Sequence, residues 1–490
     1  MSNLSELLPS GGGGQNEVDF IASGTLSSGQ AVALKTDGTV VPIASTTGNI
    51  TNYAESSAAS TTGTEEILRY DSFNNKVLYF YRNNAGYPTA VVGSISGNTI
   101  AFGTPTIANS SYRDHIAADV TTGQYADGKG IMTMIYSGDA TLYATQFTVS
   151  GSSISFSNIL YVYYPAHTGY GRAIAVENCP TQGNFVCTYL DQWTGQGYAL
   201  PISVGGSTPN IYGASAFDSS ASFPNSMDMA WDSANQKMVM SYKYQNRTGK
   251  TVVITVGGSS LSYGTPTQHA SPAVETQAVT YDSAAGKVLI VYSNDSNILY
   301  GRVGTVSGTS ISFGTATAIY NATSGSTEYD VCYDSVNQRC IVSFRKNAAP
   351  NSQYCFIAAI QISGTGFSVG TDVVFRAANG QYITNVYDPI AERVVTGYRD
   401  TGNTNQPYTV LSSVQTSNAS DFIGITASAI ANTATGTVNV YGGINEAQSG
   451  LASGSDYYVQ SNGSLSTTES NIKAGRAISA TTINMVDLIL

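Results

Sequence analysis

The sequence predicts an all-β protein: a seven-bladed β-propeller inserted in a small split β-domain formed by the N- and C-terminal segments. Three observations predict it. A strand-rich unit recurs at a period near 50 residues, glycine-turn hairpins crowd both ends of the chain, and only 11% of the 490 residues are charged, against 50 glycines and 33 tyrosines. Helical proteins of this size carry many more Glu, Lys and Arg. A repeat of four antiparallel strands at this period is the signature of a propeller blade.

The clearest copy runs from Thr276 to Ile319, TQAVTYDSAAGKVLIVYSNDSNILYGRVGTVSGTSISFGTATAI. Its four runs are β-branched or aromatic and are bounded by Gly, Asn, Asp and Ser, as strands are. The first turn aligns the rest. Tyr70-Asp71, Trp231-Asp232, Tyr281-Asp282, Tyr333-Asp334 and Tyr387-Asp388 each precede, by ten residues from the Asp, the aromatic Tyr81, Tyr242, Tyr292, Phe344 or Tyr398. Weaker copies carry Asp119, with the insertion TTGQYADGKG, and Glu177-Asn178. The fourth strand recurs as NTIAFGTPTI, SSLSYGTPT and TSISFGTATAI but is missing after Gln415. GTVVPIAST, residues 38–46, resembles it and is predicted to close the ring, removing the exposed sheet edge.

The expected domains are an N-terminal arm (1–17), the N-terminal part of the small domain with the closing strand (18–48), the propeller (49–418) and the C-terminal part of the small domain (419–490). The arm holds Leu4, Leu7, Leu8 and Pro9 before the connector Gly11–Gly14. DFIASG, SSGQAVAL and TDGTV near the start echo DFIGI and SGLASGSDYYV-SNGSLS near the end, so residues 18–38 and 420–490 are expected to fold together.

Charge and composition exclude several functions. A net charge of −11 without a basic cluster argues against nucleic acid as a partner. No run of 18 apolar residues occurs, so membrane insertion is not expected, and the N-terminus has neither the basic nor the apolar region of a signal peptide. Cys179, Cys187, Cys332, Cys340 and Cys355 have no metal-ligand spacing, and buried free thiols are expected. Neither a metal nor a cofactor is implied.

The aspartate repeated once per copy (Asp71, Asp119, Asp232, Asp282, Asp334, Asp388) suits a turn, where its carboxylate accepts backbone amides; a catalytic site would break the repeat. His115, His167 and His269 come with no GxSxG elbow, and no S-x-D-x-G-x-x-W box accompanies the arginines, so no catalytic residue is assigned. SYRDH, YYPAHTGYGR, YLDQWTGQGY and YKYQNRTGK depart from the repeat and gather aromatics beside amides and charges. The flat face of a sugar stacks on an aromatic ring and its hydroxyls need paired donors and acceptors, so these loops nominate Tyr112, Arg113, Tyr170, Arg172, Trp193, Tyr198 and Tyr244 as glycan-binding residues. The alternative is that Tyr-rich loops simply pack between blades.

The terminal modules DFIASGTLSSGQAVALKTDGTV, SGLASGSDYYVQSNGSLSTT and KAGRAISAT resemble those of tailed-bacteriophage virion proteins, tail-fibre and adhesin-like proteins in particular. The resemblance implies a structural virion component made in the host cytoplasm, a homotrimer bound to other virion proteins through its arm and small domain, whose propeller meets a host cell-surface glycan. A head-fibre or capsid-decoration protein without a receptor role is one alternative, and a propeller glycoside hydrolase or depolymerase is another.

Overall fold

A computed structural model describes residues 16–136, 141–163, 174–191, 193–218, 225–244, 247–271, 274–294, 296–321, 328–347, 353–402 and 405–485. The chain divides into two compact units: residues 1–46 with 415–490, and residues 47–414. Of the predicted arm, only Asn16 and Glu17 lie within the described residues.

The first unit is made from both ends of the chain. One of its sheets has the order Glu17–Ile21, Thr435–Val440, Phe422–Thr426, Ala31–Leu34, Val40–Pro42, so two strands from the C-terminal segment lie between strands from the N-terminal one. Phe20 lies opposite Gly436 and Ala31 opposite Ile425. A second sheet joins Asp456–Val459 to Lys473–Ala477. Ala31, Ile43, Ile425, Tyr457, Val459 and Ile483 share one apolar cluster, and Leu26, Val32, Val40, Ile430 and Val438 another.

Among the described residues, the second unit contains seven antiparallel sheets. Their first strands are Thr64–Asp71, His115–Val120, Ala175–Cys179, Asn225–Asp232, Gln277–Asp282, Tyr329–Asp334 and Gly380–Asp388, and the sheets are numbered one to seven in that order. Each first strand touches the next, and the seventh touches the first. Seven apolar clusters fill the gaps between consecutive sheets. The cluster that returns to the start joins Leu68, Val77 and Tyr79 of sheet one to Val395 and Leu411 of sheet seven. The second strands are buried almost throughout; in Lys287–Ser293 only the lysine reaches water. Runs such as KVLIVY are therefore apolar on both faces, because each sheet packs against a neighbour on either side.

The closing strand differs from the expected one. Val40–Pro42 pairs with Ala31–Leu34 in the first unit. The fourth strand of sheet seven is Ser45–Ser57, which follows it and lies beside Gln406–Ser417. An apolar match at residues 38–46 pointed to the wrong stretch because STTGNITNYAESS is mostly polar. Its place is held by specific bonds: Asn52 Nδ2 to Val374 O at 3.0 Å, Ser412 Oγ to Asn52 Oδ1 at 2.7 Å, and Glu55 to Arg376 at 2.8 Å.

The repeated FGT has a steric origin. A Cβ on Gly264 would lie 1.8 Å from Thr309 O and one on Gly314 1.9 Å from Thr365 O, so the outer strand of one sheet meets the hairpin carbonyl of the next with no room for a side chain.

The turn aspartates are structural. Asp334 accepts from Val336 N at 3.1 Å, Asn337 N at 2.9 Å and Asn337 Nδ2 at 2.9 Å. Asp71, Asp232, Asp282 and Asp388 accept from their own turns in the same way. The tyrosines before Asp71, Asp334 and Asp388 face the turn of the preceding sheet: Ala284 N donates to Tyr333 Oη at 3.2 Å, and burial followed by the Asp388 and Asp334 carboxylates raises the pKa of Tyr70 and Tyr387. Asp119 does not belong to this series. The insertion displaces the turn of sheet two to Thr121–Lys129, where Asp127 takes over, accepting from Thr121 Oγ1 at 2.9 Å, and Asp119 stays inside the strand.

All five cysteines are free and buried. Cys187 lies opposite Val176 and Cys340 opposite Tyr333, so neither pair eight residues apart faces itself across its ladder.

Candidate functional site

The first strand of each sheet has one edge with no strand beside it, so its outward amides need other acceptors. Carboxylates of the preceding sheet supply them. Ile116 N donates to Glu65 at 3.1 Å, Asn178 N to Asp119 at 2.5 Å, Val279 N to Asp228 at 2.7 Å, Tyr382 N to Glu328 at 2.8 Å and Asn385 N to Asp330 at 2.8 Å. Between sheets seven and one a hydroxyl does the same, with Leu68 N on Thr384 Oγ1 at 3.1 Å. These acids hold the sheets together.

The seven strands surround a cavity of about 450 Å³. Arg69 lies on its wall, its Nε 3.1 Å from Asp119 Oδ1. Burial disfavours the Arg69 charge, but Asp119, Glu177, Asp228 and Asp330 together outweigh burial and raise its pKa. Burial likewise raises Asp119, against Arg69, and raises Glu177 well above the carboxylate range, with Asp119 adding to the effect. Where the strands begin, cations and acids interleave: Glu65 is 2.6 Å from His115 Nδ1 and 3.7 Å from Arg82, and Glu275 is 3.6 Å from Lys243.

A second constellation lies between sheets two and three, at the same ends of the strands. Tyr163 packs on Tyr189 at 4.6 Å between ring centroids, and Tyr189 stacks on Tyr198 at 5.6 Å and 13°. The Tyr163 hydroxyl donates to Asp191, which also accepts Trp193 N at 2.8 Å and Thr194 N at 2.8 Å. Burial would raise the Asp191 pKa, but these donors hold it below the ordinary value. Tyr198 Oη donates to Gln196 at 3.0 Å. Trp193, whose amide Asp191 holds, stays in water at 75% exposure. Tyr161, 61% exposed, lies two positions before Tyr163, but the ladder shifts register between them, with Tyr161 opposite Tyr143 and Tyr163 opposite Leu142, so the two point to opposite faces of the sheet.

The nominated residues thus divide. Trp193 and Tyr198 come together around Asp191. Tyr112 lies between sheets one and two, 46% exposed, with Arg82 5.8 Å above its ring. Arg113 is buried, its guanidinium 4.6 Å from the Tyr143 ring. Tyr244 is covered by Lys250 Nζ at 3.5 Å. Tyr170 and Arg172 lie outside the described residues. Tyr163 and Asp191 were not nominated: LYVY reads as an ordinary strand, and Asp191 as a turn residue.

No family model matches the sequence, and no curated protein matches it. Solved structures do. The SapL1 lectin in complex with alpha methyl fucoside is 11% identical, with 66% of this chain and 98% of that chain covered at a TM-score of 0.40. AofleA from Arthrobotrys oligospora is 10% identical, with 71% and 96% covered at a TM-score of 0.41. A fucose-specific lectin from Aleuria aurantia is 13% identical, with 64% and 97% covered at a TM-score of 0.39.

Proposed function

We propose that this chain is a non-catalytic carbohydrate-recognition protein, a seven-bladed propeller that binds a surface glycan at Trp193, beside the Tyr163–Tyr189–Tyr198 stack. The observation that carries the reading is the exposed Trp193, anchored through its amide to Asp191 beside that stack. Solvent-facing aromatic surface flanked by fixed acceptors is what a sugar ring requires. Against catalysis stand the carboxylates of the inner strands, five of which accept a backbone amide of the adjoining sheet. A group engaged in that way is a poor proton shuttle.

The biological setting we propose is the appendage of a tailed phage, on the resemblance of the terminal modules. The split unit and the arm join the chain to other virion proteins, as a homotrimer, and the propeller faces the host glycan.

The test is binding of the full chain to an array of bacterial surface glycans. Trp193→Ala is expected to weaken binding at least about tenfold, equivalent to ~1.4 kcal/mol. Binding that this variant retains in full would overturn the Trp193 site, and new reducing ends released from a bound polysaccharide would overturn the non-catalytic reading. For the setting, deletion of residues 1–16 should abolish incorporation into particles.

A further inference from the structure

The first unit repeats itself. The sheet that begins with Glu17–Ile21 has a counterpart with the order Ile444–Asn445, Ile483–Asn484, Lys473–Ala477, Asp456–Val459, Leu465–Ser466. In both sheets the strands, numbered along the chain, stand in the order first, fifth, fourth, second, third. The registers agree as well. Asn439 lies opposite Ile425 and Glu17 in one sheet, and Asn484 lies opposite Arg476 and Ile444 in the other. Gly424 faces Val32 and Gly475 faces Tyr457, and each ladder shifts register immediately after that pair. A Cβ on Gly424 would lie 2.3 Å from Asn439 O, and one on Gly475 2.2 Å from Asn484 O, so the same close approach is kept in both sheets.

The hairpins between the second and third strands match bond for bond. Lys35 N donates to Thr39 O at 2.8 Å, and Gln460 N to Ser464 O at 2.8 Å. Asp37 Oδ1 accepts Thr39 N at 3.0 Å and Thr39 Oγ1 at 2.7 Å, and Asn462 Oδ1 accepts Ser464 N at 3.0 Å and Ser464 Oγ at 2.7 Å. A shared strand order alone could arise twice in small β-structures. A shared bulge, crowded glycine and side-chain-braced turn at corresponding places mark two copies of one module.

The copies differ at one connection. In the second copy the third and fourth strands are joined by the six residues 467–472. In the first copy the same connection runs from residue 43 to residue 421 and contains the whole second unit. Its two ends meet inside the first unit: Ala44 N donates to Asn418 Oδ1 at 2.9 Å, and Asn418 Nδ2 to Pro42 O at 3.1 Å. Both apolar clusters of the first unit consist of its own residues, Ile43 and Ala419 among them, so its core closes without the propeller.

We infer that the first unit is a tandem duplicate of one five-stranded module with the propeller inserted in its first copy only, and that the pair is a complete assembly domain, able to fold and to associate without the propeller. The assembly role rests on the reading, given above, that this unit joins the chain to other chains. Recognition and assembly are then separable, and the exposed loop of the second copy, at Thr467–Glu469, is a second place where the module accepts an insertion.

Two variants test this. In the first, Ala44 is joined directly to Asn418, which leaves six residues between the third and fourth strands, as in the second copy. It should unfold in one cooperative calorimetric transition and show by light scattering the same number of chains per particle as the full-length protein. The second keeps the full chain and adds a Gly-Ser segment of about twelve residues after Glu469, which should leave the unfolding enthalpy unchanged because lengthening such a loop costs little. Absence of a cooperative transition in the first variant, or a reduced enthalpy in the second, would overturn the duplication. A shortened chain that folds but is monomeric beside an oligomeric full chain would overturn the assembly role. A full chain that is itself monomeric, matched by the shortened one, would remove the homotrimer and leave the duplication standing. Neither measurement involves a glycan, so each is independent of binding at Trp193.

Discussion

Replacing Gly314 by alanine tests how the sheets meet. The added Cβ would lie 1.9 Å from Thr365 O and 2.9 Å from Thr365 C. The first distance is roughly 1.5 Å short of an ordinary contact. Since the obstacle is backbone, no rotamer change relieves it, and the hairpin of sheet six must retreat from sheet five. Overpacking of this kind costs about 1–3 kcal/mol. For a large unit, about 2 °C of Tm follows each kcal/mol, so a loss of about 2–6 °C is expected by differential scanning calorimetry. Gly264→Ala, at 1.8 Å from Thr309 O, should behave alike, whereas Gly213→Ala, with nothing within 4 Å, should not lower the melt. If both crowded variants melt within about 1 °C of wild type, the sheets are not packed hairpin against outer strand and the steric reading of FGT is wrong.

Other outcomes are as definite. Asp334→Ala removes the acceptor of three hydrogen bonds and should destabilise by about 1.5–3 kcal/mol, with Asp334→Asn milder, as chemical denaturation would measure. His269 is buried, and desolvation, with Arg302 assisting, lowers its pKa from 6.5 to about 3. The unfolded state therefore binds its proton first, and this site should lower stability by up to about 1.4 kcal/mol per pH unit as pH falls from 6.5 toward 3, a slope that His269→Gln should lack. Burial pushes the Cys187 and Cys355 thiols up to about 12, so a thiol reagent at pH 8 should find them unreactive until the protein is unfolded. Deleting residues 47–57 should broaden or abolish the cooperative melt of the second unit, because sheet seven loses its fourth strand.

The repeat was legible because two local signals, an apolar second strand and an Asp turn, recur in register at Asp71, Asp232, Asp282, Asp334 and Asp388. The same alignment misplaced Asp119, since an insertion moved the turn while the strand kept its acid. The closing strand escaped because Ser45–Ser57 owes its place to polar side chains, not to an apolar pattern. Trp193 and Tyr198 could be nominated from one loop. The axial group could not: Glu65, Arg69, Asp228 and Asp330 are spread over more than half the chain, and only the arrangement of the sheets brings them to one wall.

The strand Ser45–Ser57 also bears on how the protein is made. Ribosomes synthesise it before any other part of the second unit, yet its partner, Gln406–Ser417, comes last, 349 residues after Ser57. At about 5–20 residues per second the wait is roughly 17–70 seconds. An unpaired strand left for that long invites pairing with other nascent chains. Here the strand reads STTGNITNYAESS, with Ile50 its one aliphatic residue larger than alanine. Its polarity, which hid it from an apolar search, keeps it soluble while six sheets assemble, and selectivity for the late partner resides in Asn52, bonded to Ser412, and Tyr53, bonded to Ser413.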